Sequence, residues 1–218
     1  AKQVPDTHNV GADAMNADGT VNRAALPTVF NPEDLQALEM ALRVKDQVKD
    51  TVVNVITMGP ARAADIIKDS RNRGADGGFV LSDARFAGSD TLATSYALSC
   101  AIQYFGKVDL VFCGRQAIDG DTAQVGPQIA EHLDLPQVSY MEDLQYDEAT
   151  KTFTIKKQLE DGYQILEMQA PCVVTALASS VQPRYMTVNG IVTAFDKEVE
   201  VWGADRINVP EDHIGKAG

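Results

Sequence analysis

The chain has 218 residues, a formal net charge of −12, 44% hydrophobic residues and 23% charged ones. The length suits one large α/β domain, and the acidic balance argues against nucleic acid or an anionic membrane surface as the main partner. No apolar run approaches a membrane span and no secretory signal pattern is visible, so no membrane insertion and a cytoplasmic location are expected.

In chain order, Lys2 to Asp6 reads as the end of a strand entering a loop, and Asp18-Gly19 as a tight turn. Asn31-Pro32-Glu33-Asp34 reads as a helix start, with Asn as cap, Pro at the first helical position and two acids in the positive first turn. Val52 to Thr57 is a β-branched strand ended by Met58-Gly59-Pro60, and a helix follows from about Ala61 to Asn72. Gly78 to Leu81 is a second short strand; Ser89-Asp90-Thr91 starts a helix carrying Leu92, Ala93, Tyr96, Ala97, Ala101 and Ile102. Val108 to Cys113 is a third strand. Short apolar strands alternating with amphipathic helices predict an α/β fold with an open, mainly parallel sheet and helices on both faces. After Pro136 the pattern changes: Thr152 to Leu159 and Tyr163 to Met168 alternate about Glu160-Asp161-Gly162, an antiparallel hairpin elaboration, and Pro171 to Ala176 is a further buried strand. One domain over residues 1–218 is expected.

The stretch from Val108 to Pro127 carries the chemistry. A buried strand runs into Gly114-Arg115-Gln116-Ala117-Ile118-Asp119-Gly120-Asp121, and a helix is predicted from Asp121 or Thr122 through Ile129, Ala130 and Leu133. Helix-start amides lack intrahelical partners and sit at the positive end of the dipole, and Gly114 and Gly120 allow close approach of a ligand, so the segment reads as an anion cradle. It reads equally as an ordinary βα turn with Asp119 or Asp121 as cap. The spacing is neither a P-loop nor GxGxxG. Parallel sheets bind ligands at the carboxyl ends of their strands, where the loops after Val4, Thr57, Leu81 and Cys113 would meet. Cys100, Cys113 and Cys172 show no metal-ligand spacing and read as reduced core residues; His8, His132 and His213 are isolated in sequence, so neither a metal nor a catalytic histidine cluster is expected.

Several segments together resemble the β subunit of electron transfer flavoproteins. They are Lys2-Gln3-Val4-Pro5-Asp6-Thr7, Asn31-Pro32, Met58-Gly59-Pro60, the run Arg115 to Pro127, and Pro183-Arg184-Tyr185. The resemblance spans essentially the whole chain and implies an adenine-nucleotide α-hydrolase-like fold and an α-subunit partner that carries FAD. Relative to the family, the first strand looks truncated and the C-terminal arm is not seen. The segment Phe86 to Tyr96, taken with Asp119 to Gly126, looks like the kind of β subunit that binds a second FAD and bifurcates the electrons of NADH, one to ferredoxin and the other through the α-subunit FAD to an acyl-CoA dehydrogenase or enoyl-CoA reductase.

By that resemblance the nucleotide site comprises Asn31, Met58, Asp90, Thr91, Thr94, Gly114, Arg115, Gln116, Ala117, Ile118, Asp119, Gly120, Asp121, Thr122, Ala123, Gln124, Val125 and Gly126. Ser95 would add a hydroxyl at the same edge. Asp119 and Asp121 would cap the loop or hold a ribose hydroxyl, because facing phosphate would be repulsive; Arg115 would offset flavin or phosphate charge or pair with a surface acid. Pro183, Arg184, Tyr185 and Val188 would form a partner-docking loop, or Arg184 and Tyr185 a buried cation–aromatic pair. No side chain reads as nucleophile or general base, which leaves the chemistry to the flavin. The alternatives are a non-bifurcating β subunit holding structural AMP, and a nucleotide-binding stress or signalling module.

Overall fold

A computed structural model describes residues 1–6, 26–194 and 197–218. The predicted turn at Asp18-Gly19, as well as Thr7 and His8, lie outside the described residues. The elements in chain order are β1 (Gln3–Pro5), β2 (Thr28–Phe30), α1 (Pro32–Gln47), β3 (Asn54–Met58), α2 (Ala64–Arg73), β4 (Gly77–Leu81), α3 (Thr91–Phe105) and β5 (Leu110–Gly114). There follow α4 (Val125–His132), β6 (Gln137–Asp147), β7 (Thr152–Leu159), β8 (Gly162–Gln169), β9 (Cys172–Ala176), α5 (Val188–Ala194) and β10 (Glu200–Trp202).

The fold is α/β, with open, mainly parallel sheets. β4 lies between β3 and β10, parallel to both. β9 lies between β5 and β6, again parallel to both, and β7 and β8 extend this sheet antiparallel as the predicted hairpin. β1 and β2 form a separate antiparallel pair. Alternation along the strands sends side chains to two helical layers. Val80 packs with Leu38, Leu42, Ile66 and Ile67 of α1 and α2, whereas its neighbours Phe79 and Leu81 pack with Ala97 and Ala101 of α3. In the second sheet Val174 and Ala176 meet Ala37 and Met40 of α1. The opposite face takes α4, whose Gly126 lies so close to β9 that a methyl there would sit 2.7 Å from Thr175 Cγ2.

α1 thus runs beneath both sheets. Near the end of the chain Trp202 stacks on Phe79, ring centroids 3.5 Å apart, and fastens β10 to β4. No helix among the described residues is long and apolar enough to cross a membrane.

Candidate functional site

β5 ends at Gly114 against the first turn of α1. A methyl at Gly114 would lie 2.6 Å from the Asp34 nitrogen and 2.7 Å from the Glu33 carbonyl carbon. The sequence assigns this glycine to the close approach of a ligand; the structure assigns it to the close approach of a helix.

The polar residues of that turn then hold the loop. Asp34 accepts from the Gly114 amide at 2.9 Å, and its other oxygen accepts from the Lys2 amide and from Asn31 Nδ2. Glu33 accepts from the Gln116 amide at 2.8 Å and pairs with Arg115 at 2.8 Å. Asn31 Nδ2 donates to the Gln116 carbonyl and Oδ1 accepts from the Ile118 amide. The Arg115 amide donates to the Ala176 carbonyl of β9. The amides from Gly114 to Ile118 that sequence reasoning gave to a phosphate are therefore largely bound within the protein. Asn31, buried and without a side-chain bond to a backbone amide of its own helix, is a brace between α1 and the loop.

Beyond Ile118 the loop changes character. The Gly120 and Asp121 amides close a turn on the Ala117 carbonyl, and Asp121 and Ala123 take left-handed conformations with φ of 51° and 53°. A right-handed helix cannot run through such residues. That is why α4 starts at Val125 and not at Asp121 or Thr122, and why the sharp turning sits at Asp121 and Ala123, not at Gly120. Left-handed conformations at non-glycine residues cost about 1–3 kcal/mol each and gather at functional sites. The amides of Thr122 to Gly126 make no hydrogen bond among the described residues. They are the free donors of the site.

A second helix start faces them. Asp90 caps α3 by accepting from the Ala93 amide at 2.9 Å, and Thr91 Oγ1 donates to Gln124 Oε1 at 2.9 Å, tying the two helix starts together. Ser95 turns inward instead: it is fully buried and its hydroxyl donates to the Leu92 carbonyl. Both loop acids are offset, Asp119 by Lys2 Nζ at 2.7 Å and Asp121 by Gln116 Nε2 at 2.6 Å.

The cavity bounded by these elements measures about 1410 Å³ and is walled by Met58, Asp90, Thr91, Thr94, Gly114 to Ala117 and Gly120 to Gly126, but not by Asn31, Ile118 or Asp119. That volume includes the gap between β3 and β5, lined by Val55, Ile56, Leu110 and Phe112, as well as the cleft between the helix starts. Burial pushes the Cys113 thiol up to about 11, which keeps it neutral beside the cavity. His132 and His213, distant in sequence, flank the Tyr96 ring at 5.3 and 5.0 Å, and no metal-binding group of three or more ligands occurs among the described residues.

Sequence reasoning missed Glu33, Asp34 and Lys2 as builders of the site. The available signal was the surplus of polar groups in Asn31-Pro32-Glu33-Asp34, which exceeds what one helix cap uses.

The proposed docking segment lies elsewhere. Arg184 is fastened to α1 by Glu39 at 2.9 Å and Asp46 at 2.7 Å, so it forms no buried pair with Tyr185. Burial raises the Glu39 carboxyl, but the bonds from Arg184 outweigh it and hold Glu39 below its ordinary range. Pro183 precedes this anchor. Tyr185 and Val188 stand 84% and 82% exposed, and α5 begins at Val188 where the sequence had suggested only a loop.

Residues 18–207 match the family described as electron transfer flavoprotein domain. The chain is 47% identical to the electron transfer flavoprotein subunit beta of Clostridium acetobutylicum, over 100% of this chain and 82% of that protein. It is 44% identical to the caffeyl-CoA reductase-Etf complex subunit CarD of Acetobacterium woodii, over 99% of this chain and 80% of that one. It is 46% identical to the acryloyl-CoA reductase electron transfer subunit gamma of Anaerotignum propionicum, over 92% and 74%.

Proposed function

Because the chain belongs to the electron transfer flavoprotein family, as a β-type subunit, we propose that it serves as the bifurcating kind. It takes electrons from NADH and divides them between a ferredoxin and, by way of the FAD of an α subunit, an acyl-CoA dehydrogenase or enoyl-CoA reductase. The reductase names of two relatives support an acyl-CoA-linked acceptor.

The observation that carries the reading is the junction of two helix starts at Thr91 and Gln124 on one cavity. The site suits a dinucleotide. Thr122 to Gly126 offer consecutive amides at the positive end of α4, where a diphosphate is stabilised. Thr91, Thr94 and Gln124 add polar side chains beside them, and the Lys2 ammonium paired with Asp119 reduces the repulsion that carboxylate would exert on a phosphate. FAD, when bound, supplies hydride acceptance and single-electron transfer. The protein contributes donors, the cavity wall and the exposed segment Tyr185 to Val188 as the surface for the acyl-CoA enzyme.

Coexpression with the α subunit followed by nucleotide extraction tests this directly. Two FAD and no AMP per heterodimer are expected. One FAD with one AMP would instead assign the chain to the non-bifurcating kind, and a colourless protein holding only AMP or ATP would place it with nucleotide-binding signalling modules.

A further inference from the structure

The loop after β4 carries a charged knot. Arg85 Nε and Nη2 reach Asp83 at 3.0 and 2.7 Å, and Nη1 reaches Asp205 at 2.8 Å and Glu211 at 3.0 Å. Asp83 also accepts from the Arg85 amide and, across the chain, from the Ala204 amide, both at 3.0 Å. Asp205 and Glu211 belong to residues 203–216, which follow β10 and run back over this loop. Ala204, Ile207, Val209 and Ile214 of that segment pack with Phe86, Ala97 and Ala101. Its far end closes on the same loop. The Gly215 amide donates to Ser89 Oγ at 2.9 Å, and Ser89 Oγ donates in turn to the Phe86 carbonyl at 2.8 Å. Gly215, with φ of 67°, passes so close that a methyl there would collide with the Arg85 carbonyl, and a methyl at Gly88 would lie 2.7 Å from Lys216 Cγ. Ser89 precedes Asp90, the cap of α3, and Thr91, the residue bonded to Gln124.

We propose that residues 203–216 are a strap that sets the second helix start of the nucleotide site, with Arg85 as its positioning residue. The loop between β4 and α3 holds one short turn, Ala84–Phe86, and α3 begins only at Thr91. A single turn has too few internal bonds to fix its own place. The strap grips it twice, at the Asp83–Arg85 knot and at Ser89, and so fixes the direction in which Asp90 and Thr91 leave. Asp205 and Glu211 are exposed, and each pair alone would be worth little. The guanidinium they meet is already held by both oxygens of Asp83, which spares them the cost of ordering it. The effect on ligand binding rests on the nucleotide site proposed above; the placement of the helix start does not.

Two variants test it in the coexpressed heterodimer: Arg85→Met, and the pair Asp205→Asn with Glu211→Gln, which keeps the Asp83–Arg85 contact and alters only exposed carboxylates. In nucleotide-free protein the Ala93 amide, held by the Asp90 cap, should exchange about tenfold faster in Arg85→Met and about threefold faster in the carboxylate variant. FAD affinity by equilibrium dialysis should fall by similar factors. Adding Thr91→Val to Arg85→Met should weaken FAD no further, because Thr91 is then already misplaced. Unchanged Ala93 exchange in both variants would overturn the proposal, as would unchanged FAD affinity or losses that simply multiply. A strap that only stabilised the fold would give the first of these results with a lowered unfolding midpoint. If Arg85→Met does not fold, the carboxylate variant decides by the same two measurements. A native heterodimer that takes AMP and not FAD would sink the bifurcating reading alone, since dialysis with AMP then reads the same factors.

Discussion

Residues 114–118 and residues 122–126 belong to one loop, and they do opposite things. In the first stretch four amides are taken by Asp34, Ala176, Glu33 and Asn31. In the second no amide is taken at all among the described residues. The contrast shows how a fold can present an unpaired backbone segment without losing it to solvent motion. One half of the loop is bolted to a helix so that the other half can stay open in a defined place, with two left-handed residues, Asp121 and Ala123, as the stored cost.

The contrast breaks most severely if the bolts are removed. Glu33→Ala leaves the Gln116 amide without its acceptor and Arg115 without its acid, and is expected to destabilise the protein by about 3 kcal/mol in urea unfolding. Gly114→Ala should follow at about 2 kcal/mol, because the added methyl meets backbone of α1 that cannot move alone. On the open half the balance reverses. Gln124→Ala and Thr91→Val should each weaken nucleotide retention about fivefold while leaving the unfolding midpoint nearly unchanged, since one side-chain bond is worth about 1 kcal/mol; equilibrium dialysis with FAD reads the first and calorimetry the second. A midpoint loss as large as that of Glu33→Ala would erase the distinction between the halves.

The smallest effect concerns acid. Burial raises both carboxyls, but bonds from Arg184 hold Glu39 below the ordinary carboxylate range, and bonds from Lys45 and the Val53 amide do the same for Asp76. A depressed carboxyl stabilises fully above its unfolded pKa, and the contribution disappears as pH falls through the folded value. The gap in stability between the native chain and Glu39→Gln should therefore be about 1–2 kcal/mol at neutral pH and should close as pH drops below ~4. A gap independent of pH would show that packing, not charge, carries the Arg184 anchor.

What the sequence made legible follows from range. The β7–β8 hairpin was readable to the residue at its first strand, Thr152 to Leu159, because alternation and the Asp161-Gly162 turn are local signals. β6, eleven residues long, was not read as a strand: its register shifts between Val138 and Met141, where Tyr140 has a φ of 61°, and the period of two is broken there. The polar character of the helix start at Asn31 was legible, but not its destination. Its partners lie eighty or more residues away, and no local pattern encodes them. The convergence of His132 and His213 on Tyr96 escaped for the same reason.

Trp202 is the single tryptophan of the chain. Its ring lies flat on Phe79 and edge-on to Tyr104, with Arg206 over one face and the indole N–H bonded to Glu200. Its emission consequently reports one event, the seating of β10 on β4. Tryptophan fluorescence follows detachment of β10 separately from melting of the hairpin, and gives an optical clock for the order in which the two sheets come apart.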